Sequence, residues 1–175
     1  MSHLTLRTDR LKLIAATREL LETEGDLTQL AQGLQAEVPS NWPMPLYDSD
    51  ARSHFLRVVS ENPEAVGWTT WYILLAESTR TMTLVGAVGA CGLPDVDGTI
   101  VIGYSILDQF QGKGYATEAL CGFLKWARQH PRLRRVFADT YPRLVASIRV
   151  LERNGFIRCG KGTEEGTIGF ELLIS

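Results

Sequence analysis

The chain has 175 residues, 45% hydrophobic, 9% aromatic and 22% charged, which suits one globular domain spanning residues 1–175 and excludes collagen-like, disordered and disulfide-framework classes. Eighteen Lys+Arg against 20 Asp+Glu give a net charge of −2, so a nucleic-acid partner, which needs a basic face, is not expected. Cys91, Cys121 and Cys159 form no CxxC pair, the first twenty residues mix charge with apolar groups, and no 18 apolar residues run together, so a cytoplasmic protein without a membrane partner is expected.

Leu4, Leu6, Leu11, Leu13 and Ile14 alternate with polar residues and predict a strand near the start. Leu20, Leu21, Leu27, Leu30 and Leu34 recur at helical spacing, with Asp26 and Gln29 placed like a capping box. Prolines in residues 37–48 (EVPSNWPMPLYD) exclude a helix interior, and a helix then opens at Ser49-Asp50 and ends near Asn62-Pro63. Residues 70–76 and 81–91 read as strands joined by the turn ESTRT. After a turn at 94–98 (PDVDG), the charge-poor run 99–107 (TIVIGYSIL) predicts a strand covered on both faces, with Gly103 marking a bulge or a close backbone approach.

A glycine-rich turn at 111–114 leads into a helix reaching about His130-Pro131, with Ala116, Ala119, Leu120, Phe123, Leu124 and Ala127 as its apolar stripe. A strand at 134–141, a short helix at 145–154 stopped at Gly155, and strands near 156–160 and 167–174 complete the chain. The sum is a mixed α/β (α+β) fold, in which central antiparallel strands feed a β-α-β-α-β half.

The segment SILDQFQGKGYATEA (105–119) carries the chemistry. A helix start presents unpaired N–H groups and the positive end of a dipole, and Gly112 and Gly114 let an anion approach without a Cβ in the way. Gly155 to Lys161 matches most of a P-loop, but Gly162 stands where the hydroxyl belongs and the segment follows a helix. The dinucleotide pattern GxGxxG fails at Thr117. A third design, Gln/Arg-x-x-Gly-x-Gly/Ala, is met by Gln111-Gly112-Lys113-Gly114-Tyr115-Ala116. The competing reading is that these glycines only shape a tight turn.

The stretch GYSILDQFQGKGYATEAL, followed by ASIRVLERNGF, resembles the GNAT superfamily of N-acetyltransferases, and most closely its branch of ribosomal-protein alanine acetyltransferases. The opening TDRLKL and the loop WPMP fit as well. The resemblance implies a mostly antiparallel sheet splayed at the cofactor site, with acetyl-coenzyme A between two central strands. By position, the pyrophosphate would sit on the N–H groups of Gln111, Gly112, Lys113, Gly114, Tyr115, Ala116 and Thr117, with the Lys113 side chain as a further phosphate partner. The pantetheine arm would pair with Ser105, Ile106 and Leu107 through groups freed by a bulge, and an N–H near Ile106 would face the oxyanion.

Two departures stand out. Relatives often carry an asparagine and a tyrosine on the helix before Gly-Phe, where this chain has Leu144 and Leu151; neither donates a hydrogen bond. Ser147 is the hydroxyl left there, to hold the coenzyme, to protonate its sulfur, or to bond a carbonyl one turn back. Relatives also read Glu-Ile-Gly-Tyr where this chain has Val101-Ile102-Gly103-Tyr104, so the base that frees the amine is missing. Glu77, Asp97, Glu171 and His54 are candidates, whereas Glu118 reads as a first-turn acid complementing the helix dipole. Trp42, Trp68, Trp71 and Tyr72 either shape an acceptor slot or fill core. His3, His54 and His130 lack ligand spacing, so no metal is expected.

The expectation is an acetyl-coenzyme A-dependent N-acetyltransferase acting by direct attack of a small-molecule amine or a protein N-terminus, as monomer or homodimer. A non-catalytic coenzyme A-binding module and a nucleotide-binding protein are its rivals.

Overall fold

Alternation along β3 (Thr70–Ala76) sets the plan of the molecule: Trp71 and Ile73 enter one apolar core, Tyr72 and Leu74 the other. The computed structural model describes residues 3–45, 47–76 and 81–174. Around β3 lie β1 (Thr5–Arg7), β2 (Leu11–Ala15), β4 (Met82–Ala90), β5 (Thr99–Ile106), β6 (Arg135–Thr140), β7 (Ile157–Lys161) and β8 (Ile168–Leu173). The spatial order is β1-β2-β3-β4-β5-β6-β8-β7, and each neighbouring pair is antiparallel except β5–β6. Helices α1 (Arg18–Thr23), α2 (Leu27–Leu34) and α3 (Ser49–Glu61) cover one core; α4 (Tyr115–Ala127) and α5 (Val145–Arg153) cover the other.

Several elements differ from the sequence expectation for local reasons. The opening strand is a hairpin, because Thr8 turns the chain by donating its N–H to the Leu11 carbonyl at 2.9 Å. The leucine run from Leu20 to Leu34 is split in two, since the Asp26 carboxylate caps α2 through the N–H groups of Thr28 and Gln29. Gln29 donates its side-chain amide to that carboxylate, and the Asp26 N–H goes to the Thr23 carbonyl instead of to Gln29, so the capping box is only half formed. Helix α4 stops at Ala127, short of the predicted end. Most of the turn ESTRT, residues 77–80, lies outside the described residues.

The expected bulge at Gly103 is absent: the β4–β5 register runs unbroken, and a Cβ on Gly103 would meet nothing within 4 Å. The irregularity falls instead on β4, where Ile73 pairs with Gly86 and Leu74 with Leu84, leaving Val85 extra. That added residue reverses the alternation, so Val85 faces one core and Ala87 the other. Nor is β5 covered on both faces. Ile100 and Ile102 are buried, but Val101 is 38% exposed on the opposite side. Helix α5 ends as predicted: Gly155 (φ +83°) lets its own N–H reach the Glu152 carbonyl at 3.0 Å and the Phe156 N–H reach Leu151 at 3.1 Å.

Candidate active site

The site is organised by a split in the sheet. Strand β5 stays paired with β4 through Ile106, yet its parallel pairing with β6 covers only Thr99–Val101. The bonds Cys91 N–H to Val101 O and Leu107 N–H to Val85 O, both 2.9 Å, fix which groups point at β4. By ladder alternation the peptide groups of Ser105 also face β4, whereas those of Tyr104 and Ile106 face the gap. Of the residues expected to pair with pantetheine, only Ile106 therefore offers its ladder groups. They are freed by the splay and not by a bulge. The Gln111 amide already donates to the Ile106 carbonyl at 2.9 Å, which leaves the Ile106 N–H for the gap.

Beyond Ile106 the chain reaches the glycine-rich turn. Gly112 (φ +75°) and Gly114 (φ +82°) hold left-handed backbone that a β-branched side chain resists, and Gly114 is the N-cap of α4 with no side chain to cap it. The Gln111 N–H is bonded to the Asp108 carbonyl at 3.2 Å, but among the described residues the N–H groups from Gly112 to Thr117 have no acceptor. The Lys113 ammonium lies over the Phe110 ring at 5.8 Å.

Glu118 does more than complement the dipole. It accepts from the Thr8 hydroxyl at 2.6 Å, the Arg10 N–H at 2.8 Å and the Arg10 Nε at 2.7 Å, while Arg10 also donates to the Lys113 carbonyl at 3.0 Å. Burial alone would raise this carboxyl's pKa, but the bonds from Thr8 and Arg10 and the charge of Arg10 hold it below the ordinary value. A lowered folded-state pKa makes its stabilisation fully present above the unfolded value of about 4.3 and lost as pH falls through the folded one. Glu118→Ala is therefore expected to cost about 1–2 kcal/mol at pH 7 and progressively less toward pH 3, as read by urea denaturation at several pH values.

A cavity of about 610 Å³ opens over the exposed face of β5. Val101, Gly103 and Ser105 line it, with Tyr47 and Phe55 on one side and Ser147 on the other. The Tyr104 hydroxyl donates to the Ser147 carbonyl at 2.9 Å and lies 3.0 Å from Ser147 Oγ, so the Ser147 hydroxyl is engaged across the gap and not with a carbonyl one turn back. Burial pushes the Tyr104 pKa up to about 12 against the opposing bond from Ser147. Asp139, at the end of β6, spends its carboxylate on Thr163, receiving the N–H at 3.0 Å and the hydroxyl in a close bond. Behind the Tyr47 side of the wall, Glu24 is 3% exposed and accepts the hydroxyls of Tyr47, at 2.9 Å, and Tyr72, in a close bond.

The candidate bases named from sequence do not converge on the cavity. His54 Nε2 sits 3.0 Å from the Cys91 carbonyl, Glu171 is paired with Arg135 at 2.7 Å, Asp97 lies in an exposed turn, and Glu77 falls outside the described residues. Trp42, Trp68, Trp71 and Tyr72 are buried core, not slot. Leu144 lines the cavity, whereas Leu151 is fully buried. Sequence reasoning missed Tyr104 as Ser147's partner, and Glu24 altogether; the Gly-Tyr pair on β5 was the one available signal for the former.

Comparison with known proteins bears on the family and the fold. Residues 18–157 match the family described as acetyltransferase (GNAT) domain. The chain is 28% identical over 160 residues to an uncharacterized N-acetyltransferase, YjdG, of Bacillus subtilis (strain 168), covering 91% of this chain and 93% of that protein. Among solved structures, a ribosomal-protein-S5-alanine acetyltransferase from Vibrio fischeri is similar with a TM-score of 0.68 at 15% identity, covering 98% of this chain and 97% of that one. RimL, a ribosomal L7/L12 alpha-N-protein acetyltransferase solved in complex with coenzyme A, is similar with a TM-score of 0.67 at 20% identity, covering 98% of each chain.

Proposed function

The chain belongs to the acetyltransferase (GNAT) domain family, and from that premise we propose that it transfers the acetyl group of acetyl-coenzyme A directly to a primary amine held in the cavity over β5. The observation that carries this reading is the juxtaposition of the free ladder groups of Tyr104 and the free Ile106 N–H with the acceptor-free N–H groups of 112–117. The first set suits an extended amide-bearing arm, and the second suits a pyrophosphate at a helix start. Coenzyme A carries both groups in one molecule.

In this reading the N–H groups of Gly112 to Thr117 hold the phosphates, and Lys113 adds charge at the rim. The Ile106 N–H faces the thioester oxygen as charge develops there, a contribution of about 3 kcal/mol in enzymes where such donors were removed. The amine nitrogen attacks the acetyl carbon, the C–S bond breaks, and the thiolate leaves; its conjugate thiol ionises near 8.5, so protonation by the enzyme helps but is not required. Ser147, tied to Tyr104, holds the arm. Ser147→Ala is expected to weaken acetyl-coenzyme A binding by about three- to tenfold with kcat changed less than about twofold, as for loss of one ordinary hydrogen bond. Calorimetry beside steady-state kinetics checks this; lowered kcat with intact affinity would assign Ser147 to proton donation instead.

The reading itself is tested by free-thiol release from acetyl-coenzyme A across a panel of small amines and peptides with free N-termini. Turnover on at least one class supports it. Tight binding of acetyl-coenzyme A without turnover on any amine would favour the binding-module alternative.

A further inference from the structure

Glu24 is the buried acid that the cavity's chemistry leaves unexplained. It closes α1, is 3% exposed, and among the described residues forms no salt bridge. Both tyrosine hydroxyls go to Oε1, and the buried Oε2 has no hydrogen-bond partner. Burying a carboxyl with half its lone pairs unmet costs free energy that a leucine in the same place would not. A purely structural role is therefore a poor account of this residue.

Its surroundings lead to the cavity. Tyr47 and Thr70 both line the wall, and the Tyr47 hydroxyl lies 2.9 Å from Glu24 Oε1 and 3.2 Å from Thr70 Oγ1. A phenol has one proton and an ionised carboxylate only accepts. With Tyr47 donating to Glu24, the Thr70 hydroxyl is the group that can donate to Tyr47. The result is an ordered chain of hydroxyls running from the cavity wall to a carboxylate. We propose that Glu24 is the proton acceptor for the amine substrate, reached from the cavity through the hydroxyls of Thr70 and Tyr47. It supplies the base that Val101 removes from β5.

The proposal deepens the amine-acetylation reading and rests on it. In the step itself, an ammonium in the cavity gives a proton to Thr70 Oγ1 as Thr70 passes its own to Tyr47 and Tyr47 passes its own to Glu24. The product is a neutral amine and a carboxylic acid. The amine then forms the N–C bond as the C–S bond breaks; its second proton goes to the departing thiolate, and Glu24 returns its proton to solvent. No oxidant or metal enters.

The groups facing Glu24 suit this role. Burial raises its pKa above the ordinary carboxyl value, opposed by the bonds from Tyr72 on β3 and Tyr47 on the 37–48 loop and by the charge of Arg52 on α3. A base poised above the usual carboxylate range takes a proton more readily near neutral pH. The other acids do not compete equally: Asp139 is committed to Thr163, and Glu118 to Thr8 and Arg10. Glu164 lines the cavity directly and is the rival to be tested.

The experiment measures kcat/KM against pH for wild type, Glu24→Gln, Tyr47→Phe, Thr70→Val and Glu164→Gln, with acetyl-coenzyme A affinity by calorimetry and folding by circular dichroism. Loss of a general base is expected to lower the rate about 100-fold near pH 7, with the deficit shrinking once the amine's own pKa is passed and the substrate is already neutral. Glu24→Gln, Tyr47→Phe and Thr70→Val should all show that pH-dependent deficit at unchanged coenzyme affinity. Should Glu24→Gln fail to fold, the near-isosteric Thr70→Val cuts the same path at its cavity end. A deficit constant across pH, wild-type rates in the folded variants, or the pH-dependent deficit appearing in Glu164→Gln alone would overturn the proposal while leaving acetyl transfer intact. Wild-type protein inactive on every amine would overturn the functional reading, and the proposal with it.

Discussion

A Gly114→Val variant is expected to bind acetyl-coenzyme A about 100-fold more weakly than wild type while remaining folded. Gly114 sits at φ +82° as the N-cap of α4, beside N–H groups that find no acceptor among the described residues. Its Cβ would meet Arg10 only at 3.5 Å, an ordinary contact, so crowding inside the protein is not the problem. The conformational penalty of a β-branched residue in left-handed backbone is about 1–2 kcal/mol, which the fold can absorb by relaxing the turn. That relaxation re-aims the peptide groups meant for phosphate, and the branched side chain stands on their open side. Losing two or three charge-assisted hydrogen bonds at about 1.5 kcal/mol or more each is enough for two orders of magnitude in affinity. Gly112→Ala is a milder companion: its Cβ would meet nothing within 4 Å, so affinity lost beyond the backbone penalty reports ligand approach alone. Unchanged calorimetric affinity in folded Gly114→Val would remove the phosphates from this turn.

Gly89→Val should be the most damaging single change to stability on the cavity side of the sheet. Gly89 pairs with Thr70, and a Cβ there would lie 1.9 Å from the Thr69 carbonyl oxygen and 3.2 Å from the Thr70 Cα. Backbone cannot swing aside as a side chain can, so β3 and β4 must separate locally. Overpacking of this kind costs about 3 kcal/mol, and the gain from placing valine in a strand, about 1 kcal/mol at most, cannot offset it. For a chain of this size the net cost of about 2–3 kcal/mol makes the expected fall in Tm roughly 4–12 °C, measured by calorimetry. An unchanged Tm would mean that β3 and β4 are not held this close. Thr70 would move with β3, so residual activity in any folded fraction should fall as well.

What the sequence disclosed was what local pattern can encode. The strand at 70–76, the stripe from Ala119 to Ala127 and the glycine stop at Gly155 each depend on near neighbours, and each took its expected form. The leucines of α1 and α2 keep one helical spacing because periodicity counts apolar positions alone, and it was the cap at Asp26, legible in the sequence, that marked where the run divides. Gly103 suggested a bulge or a close backbone approach because glycine permits either, yet neither is there, and the bulge formed at Val85, between residues that face opposite cores. The cavity was harder still. Ser147 finds Tyr104 at a separation of 43 residues and Glu24 finds Tyr72 at 48, pairings that no spacing rule reaches. Glu24 in particular reads as an ordinary polar helix end until α1, β3 and the 37–48 loop are brought together.

The strand order also bears on where this protein could be cut. The segment matching the family runs from residue 18 to 157, but β1 and β2 precede it, and β8 and all of β7 beyond Ile157 follow it. β8 is no appendage: it lies between β6 and β7, and its Phe170 is 2% exposed. At the other end, Thr8 and Arg10 clamp Glu118 and so brace the glycine-rich turn from outside the matched segment. A fragment trimmed to the recognisable stretch would leave β6 without its partner β8 and the start of α4 without its anchor. The portion that identifies the family is thus smaller than the portion that can stand alone, and expression boundaries should be drawn from the hydrogen-bonded neighbours, not from the match.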